Sequence, residues 1–117
     1  NITGVYAIEV LLSYDYNLFT VVDANSSLPN IQIQPGSCPM PQHVQLNTVK
    51  TWLGTIDYAA TQVGQTASCN GGTVLIIEFE CLAAGTSVLS IDDSLILDRD
   101  VQSIDHIFQD GTLTCLP

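Results

Sequence analysis

Residues 5–14 read VYAIEVLLSY, and this stretch decides the fold class. Every second residue belongs to one strongly apolar face: Tyr6, Ile8, Val10, Leu12 and Tyr14. The residues between them form a more mixed face: Ala7, Glu9, Leu11 and Ser13. Successive side chains of a β-strand point to opposite sides, so this period of two predicts a strand with one face turned toward a core.

The same period of two recurs along the chain, where Val44, Leu46 and Thr48 alternate and Ile56, Tyr58 and Ala60 resume the pattern. Further strands are predicted over residues 18–23, 31–34, 73–82, 87–91, 95–97, 104–108 and 112–116. Turn signals such as Pro35-Gly36 and Asp110-Gly111 separate them, and no segment has a helical period. About nine short strands at this spacing predict an all-β, antiparallel β-sandwich, in one domain spanning residues 1–117.

The charge balance narrows the range of partners. The chain of 117 residues has a net charge of −10, with Lys50 and Arg99 as its only cations. Phosphate binding needs clustered Lys and Arg, so nucleic acid and anionic membranes are excluded as partners. No stretch approaches the roughly 18 apolar residues of a membrane span, so no membrane insertion is expected. A cation, a glycan, or a basic or hydrophobic protein surface remains, and acidity also keeps a protein soluble.

The four cysteines predict two disulfides. Cys38, Cys69, Cys81 and Cys115 contain no CxxC pair, so metal-ligand spacing is absent. Strands 44–49 and 55–60 read as a hairpin, and the loops that carry Cys38 and Cys69 leave its open end. This geometry favours the pairs Cys38–Cys69 and Cys81–Cys115, although four cysteines allow three pairings.

Two N-glycosylation acceptor triplets begin at Asn1 and Asn25. Together with the cysteines they favour an extracellular or cell-surface location. The sequence begins at Asn1 without a methionine, so we expect a processed or excised piece.

The chain contains few of the residue types that act in most enzyme active sites. His43 and His106 lie outside any nucleophile motif such as GxSxG, and we interpret both as ordinary surface or strand residues. Glu78 and Glu80 fall on one face of a strand, which reads as a solvated surface, not as a pair of acids across a cleft. The prediction is therefore a protein that is not an enzyme.

A calcium site is a weaker hypothesis. Asp92, Asp93, Asp98 and Asp100 crowd one region and offer the oxygen ligands that calcium prefers, but the EF-hand pattern is absent. The competing interpretation is that these aspartates cap turns with their own side chains. Structural calcium is the one cofactor considered.

Trp52 and Leu53 are the most unusual surface residues, because a predicted hairpin tip normally carries Asn, Gly or Asp. The pair either folds back onto the sandwich or projects and anchors a partner. A sugar-stacking platform of Tyr14, Tyr16 and Trp52 is a further hypothesis.

The order of motifs resembles that of cohesin modules. Residues 4–15 (GVYAIEVLLSYD) and 18–23 (LFTVVD) are similar to the early cohesin strands "YGA-x-x-x-L-x-YDP" and "L-x-V-V". The family's later motifs follow in the same order at residues 31–36, 54–60, 83–87 and 97–100. The resemblance implies a jelly-roll-like β-sandwich that binds dockerin modules of extracellular enzymes, with calcium held by the dockerin.

The chain also departs from the cohesin pattern. Tyr16 stands where proline is usual, four cysteines are unusual, and the sequence starts at the equivalent of the third strand. We therefore expect an apolar groove and an unpaired edge. Either this is a piece of a longer chain, or a strand from a neighbouring subunit completes the sandwich.

The resulting prediction is a non-catalytic cohesin-like module for assembly or adhesion, whose partner is a dockerin-like module or a copy of itself. The alternatives are a filament or surface-layer subunit built by donor-strand exchange, and a carbohydrate-binding β-sandwich.

Overall fold

The computed structural model describes residues 2–117, which form nine β-strands and no helix. The strands are β1 Ala7–Ser13, β2 Phe19–Val21, β3 Gln34–Pro35, β4 His43–Lys50, β5 Thr55–Thr61, β6 Leu75–Ile76, β7 Phe79–Cys81, β8 Gly85–Leu97 and β9 Gly111–Cys115. The all-β prediction is confirmed. The described part of the chain accordingly has no helix that is long and apolar enough to cross a membrane. The acceptor triplet at Asn1 begins outside the described residues.

The first layer is a five-stranded antiparallel sheet in the order β4-β5-β1-β8-β9. Its central strand is β1, in which Val10 lies opposite Tyr58 of β5 and Ser94 of β8. The predicted apolar face of β1 points inward, since Ile8 and Leu12 are buried. The period of two therefore gave the correct core face for this strand.

The second layer consists of two short antiparallel ladders, β2–β7 and β3–β6. It covers the inner face of the first sheet with side chains that include Phe19, Val21 and Ile33, all buried. The ring of Phe79 packs edge-on against Tyr14 and Phe19, with centroid distances of 5.3 and 6.1 Å. Two layers facing one hydrophobic core make a β-sandwich, as predicted.

Two β-bulges shift the side-chain pattern of the first sheet. In β4 the register changes between Val44 and Leu46, so that Val44 lies opposite Ala60 but Leu46 lies opposite Ala59. An extra residue in one strand moves all later side chains to the other face. The prediction that Val44 and Leu46 share a face is therefore wrong. In β8 the register jumps in the same way at Asp92.

Several of the predicted strands are misplaced, divided differently or absent. The strand predicted over residues 31–34 is found as β3 at Gln34–Pro35, where a turn was expected. Residues 87–91 and 95–97 belong to one continuous strand, β8, because β1 pairs with its second half and β9 with its first. Residues 73–82 break into β6 and β7. Residues 104–108 form no strand, since Ile104 makes one backbone bond to Ile96 and no residue within 2–117 pairs with the backbone of the four residues that follow.

The two disulfides join Cys38 to Cys69 and Cys81 to Cys115, the pairs that the hairpin geometry favours. Each has a Cα–Cα separation of 5.8 Å. The second bridge connects β7 in one layer to β9 in the other, so it holds the two layers together at one side of the sandwich.

Candidate functional site

We call the side of the first sheet that faces away from the second layer the outer face. Strand registers place its side chains in rows across β4, β5, β1 and β8. One row consists of Leu46, Ala59, Glu9 and Leu95. The next row consists of Thr48, Asp57, Leu11 and Asp93.

The outer face combines exposed leucines with carboxylates. Leu46 is 42% and Leu95 40% exposed, which is high for leucines inside strands. Glu9, Asp57 and Asp93 lie around them, on adjacent strands about 5 Å apart. Two depressions of about 240 and 210 Å³ share Glu9 and Leu95. Small-molecule pockets are usually larger, about 300–1,000 Å³, so this shallow surface suits a protein partner better.

The tip of the β4–β5 hairpin extends one end of this sheet. Trp52 and Leu53 are 68% and 54% exposed, so the pair projects and does not fold back onto the sandwich. The Leu53 and Gly54 amides donate to the Lys50 carbonyl at 3.1 and 2.9 Å, and the Tyr14 amide donates to the Gly54 carbonyl at 2.9 Å. The first two bonds close the turn, and the third joins it to the residue that follows β1. Gly54 has a φ of 66°, a conformation that favours glycine.

The structure does not form the sugar-stacking platform that was considered for Tyr14, Tyr16 and Trp52. Tyr14 is only 6% exposed, and its ring packs against Phe79 in the core. Burial raises the pKa of the Tyr14 phenol. Tyr16 is half exposed and lies beside Gly54, near the hairpin tip, but two aromatic residues without Tyr14 do not make the predicted surface.

The four aspartates proposed as weak calcium ligands do not converge. Asp98 caps its own turn, with Oδ1 accepting from the amides of Asp100 and Gln102 at 2.9 Å each. Asp92 accepts from Ser90 Oγ at 2.7 Å, and hydrogen bonds from Ser90 and Ser13 lower the pKa of Asp92. Asp93 lies on the outer face, roughly 16 Å along the strand from Asp98. Within residues 2–117 no three His, Cys, Asp or Glu side chains come together in a group that could hold a metal ion.

The remaining predicted polar residues are mostly exposed. His43 begins β4 at the surface. Glu78 just before β7 and Glu80 within β7 are both exposed. Asn25 lies in an exposed loop, where its Oδ1 accepts from the amide and the hydroxyl of Ser27. An asparagine in such a loop is sterically open to modification.

His106 forms a contact that the sequence analysis did not find. Its Nε2 lies 2.7 Å from Ser94 Oγ, and its Nδ1 donates to the Ile104 carbonyl at 2.8 Å. A serine hydrogen-bonded to a histidine is one part of a nucleophilic triad, but here a backbone carbonyl takes the position of the carboxylate that would orient the ring. The contact fastens residues 104–106 to β8. No motif links two residues so far apart in sequence, so only the fold reveals it.

Comparisons with known proteins agree with the resemblance to cohesins. The chain is similar to a type II cohesin domain from the cellulosome of Acetivibrio cellulolyticus, with a TM-score of 0.77 and 17% identity over 97% of this chain and 80% of that chain. It is also similar to the type II cohesin dyad from the adaptor ScaA scaffoldin of the same organism, with a TM-score of 0.74 and 16% identity. It spans 97% of its own length but 40% of the dyad. No family model and no curated protein matches the sequence. The fold is therefore cohesin-like.

Proposed function

We propose that this chain is a non-catalytic, extracellular protein-interaction module, and that it binds its partner through the outer face together with the hairpin tip. The observation that carries the proposal is the outer face itself, a four-strand surface in which the exposed Leu46 and Leu95 lie at the two ends of one row. Exposed apolar residues grouped on one regular surface mark contact sites more often than single exposed residues do.

The dimensions of the surface explain why the tip belongs to the site. Four strands spaced about 5 Å apart, each offering about six residues, span roughly 20 × 20 Å. That is about half of the ~800 Å² that one partner buries in a standard interface. Trp52 and Leu53 extend the sheet at one end and supply further apolar area. Tryptophan is also among the residues that contribute most to binding energy at interfaces.

The charge of the surface indicates the chemistry of the partner. Glu9, Asp57 and Asp93 are acidic, so a complementary surface presents apolar side chains among Lys or Arg. A second copy meeting face to face would bring the same carboxylates together, which opposes self-association. A dockerin-like module is the partner class that we propose, in line with the cohesin-like fold.

The two disulfides support the extracellular part of the proposal. Disulfides persist in oxidising surroundings and are rare in reducing compartments. Every cysteine of the chain is paired, in two separate parts of the sandwich. A role in assembly or adhesion at a cell surface fits both this chemistry and the acidic surface.

A pair of matched variants in one strand tests the proposal. Leu95 and Val88 are both exposed apolar residues of β8. Leu95 lies in the row that crosses all four strands, whereas Val88 lies beyond the end of β1, where β8 pairs with β9. We expect Leu95→Asp to weaken binding to a panel of purified type II dockerins by at least about tenfold, and Val88→Asp to leave it nearly unchanged. Calorimetric titration measures both. Equal effects of the two substitutions, or no binding by the parent to any member of the panel, would refute the proposal.

A further inference from the structure

The inner side of the sandwich contains an apolar groove of about 440 Å³ that no described residue fills. Its floor is formed by the inward side chains of β1 and β8, among them Val10 and Ile96. One wall carries Leu75 and Ile77, and the other carries Phe108. The apolar groove that the sequence led us to expect is therefore present, on the side of the first sheet opposite to the outer face.

Both walls of the groove end in unpaired backbone. In the β2–β7 ladder, the Val22 amide donates to the Glu78 carbonyl and the Leu82 amide donates to the Leu18 carbonyl. Backbone groups alternate sides along a strand, so the N–H and C=O groups of Phe79 and Cys81 point away from β2, into the gap between β7 and β9 that the Cys81–Cys115 disulfide spans. On the other side β9 pairs with β8 alone and is the last strand of its sheet.

The Cys81–Cys115 disulfide closes one end of this gap. It brings the Cα atoms of β7 and β9 to 5.8 Å, although no backbone ladder joins these two strands among residues 2–117. From Cys81 the open strand edge runs along β7 and β6 to Leu75, a distance of roughly 20 Å at ~3.3 Å per residue.

We propose that the groove accepts an extended polypeptide strand from outside residues 2–117. Two facing strand edges satisfy the backbone of an extended segment, whereas a helix satisfies its own backbone and would leave both edges unpaired. Strand addition also explains residues 105–109. Ile107 and Phe108 are 96% and 57% exposed, and nothing in the described chain pairs with their backbone.

The lining and the charge specify the occupant. Its side chains are apolar at every second position, because one face of the strand lies against Val10, Ile77 and Ile96. Its other positions are uncharged or basic, because the chain has a net charge of −10 and Glu80 adjoins the open edge. A second copy of this acidic chain is a poor donor, and residues 2–117 have no strand left to donate, since each is already placed in a layer.

The test uses two synthetic peptides of about nine residues, each with the same valines, threonines and lysines. In the first peptide valine occupies every second position, and in the second the valines are consecutive. We expect only the alternating peptide to bind, and to slow hydrogen exchange at the Phe79 and Cys81 amides by at least about tenfold, because new ladder bonds cover them. Exchange is read residue by residue by NMR on the unmodified chain.

Matched variants place the peptide in the groove. Ile77 lines the groove, whereas its neighbour Ile76 is 47% exposed and points to the other side of the strand. We expect Ile77→Asp to weaken peptide binding at least about tenfold and Ile76→Asp to change it less than about twofold. Should Ile77→Asp not fold, the exchange data on the unmodified chain still decide the question.

Three results would overturn the inference: equal binding of both peptides, no protection at Phe79 and Cys81, or self-association that occupies the groove with a second copy. The Leu95→Asp variant separates this site from the proposed function, since it alters the outer face and is expected to bind the alternating peptide normally. If dockerin binding fails while the peptide binds, the proposed function of the outer face is wrong and the groove proposal stands. If the peptide fails while a dockerin binds, the groove proposal is wrong and the proposed function stands.

Discussion

Replacing the Cys81–Cys115 disulfide with two alanines is expected to lower the free energy of unfolding by about 4 kcal/mol. The bridge closes a loop with a sequence separation of 34 residues. In the chain-entropy description, a loop of that length costs the unfolded state about 12.6 cal/mol/K, which is roughly 3.8 kcal/mol at 25 °C. Removing the buried sulfur of Cys115 adds a few tenths more.

This loss is a large share of the stability of an ordinary domain, which is about 5–15 kcal/mol. The measurement is urea denaturation of the parent and of Cys81→Ala/Cys115→Ala, followed by circular dichroism, with the slope of the transition checked in both. Cys38→Ala/Cys69→Ala is the matched control. Its loop is nearly the same length, at 31 residues, so the same calculation gives roughly 3.7 kcal/mol.

The two bridges differ in what else holds their strands. Near Cys69, the Val5 and Cys69 backbones donate to each other at 2.8 and 3.0 Å, so this region keeps partners after Cys38–Cys69 is removed. At Cys81–Cys115 no ladder joins β7 to β9. A loss below about 1 kcal/mol for Cys81→Ala/Cys115→Ala would refute the reasoning, as it would mean that the edges of the groove are held by something other than the bridge.

Two further substitutions test how the buried polar groups of Asn47 and Tyr58 are hydrogen-bonded. Asn47→Ala is expected to cost about 2–4 kcal/mol in denaturation experiments, because Asn47 Nδ2 and Oδ1 bond both the carbonyl and the amide of Ile33 at 2.8 Å; a loss below 1 kcal/mol would contradict this role. Tyr58 is fully buried, its hydroxyl has no partner among the described residues, and burial raises its pKa above the usual value near 10. Because the pKa of Tyr58 is raised in the folded state, its contribution to the free energy of unfolding is complete below about pH 10 and is lost as the pH rises further. The free energy of unfolding of Tyr58→Phe is therefore expected to equal that of the parent or exceed it by about 1 kcal/mol at pH 8, and to fall less than that of the parent at pH 11. Lower stability of this variant at pH 8 would show that the hydroxyl has a partner.

The two-layer architecture follows from the alternation of apolar and polar side chains along the strands. Where this alternation is clear, the residues that face the core were predicted correctly. Ile8 and Leu12 in β1, and Ile56 and Tyr58 in β5, lie on the core face because no extra residue interrupts their strands. The hairpin between β4 and β5 was also predicted, and with it the favoured disulfide pairs.

The period of two predicted the outward residues of β1, such as Glu9 and Leu11, but not those of β4 and β8. The bulge after Val44 turns Leu46 away from the core, and the bulge at Asp92 resets the pattern of β8, so that Asp93 and Leu95 face outward. Bulges depend on how neighbouring strands pair, which a single strand's sequence does not contain. The projection of Trp52 likewise depends on the hydrogen bonds that hold the hairpin tip, so the sequence left two interpretations open.

The pairing of β1 with β8 has a kinetic consequence. These strands lie far apart in the sequence, with Ala7 opposite Leu97, and β1 is the central strand of the sheet. Pairing between strands that are distant in sequence slows folding, because the entropy of the intervening chain is lost before the stabilising contacts form. During synthesis the apolar side of β1 emerges long before β8 exists, and it stays accessible throughout that interval. The rate of folding during synthesis, as well as the stability of the folded protein, therefore depends on the pairing of β1 with β8.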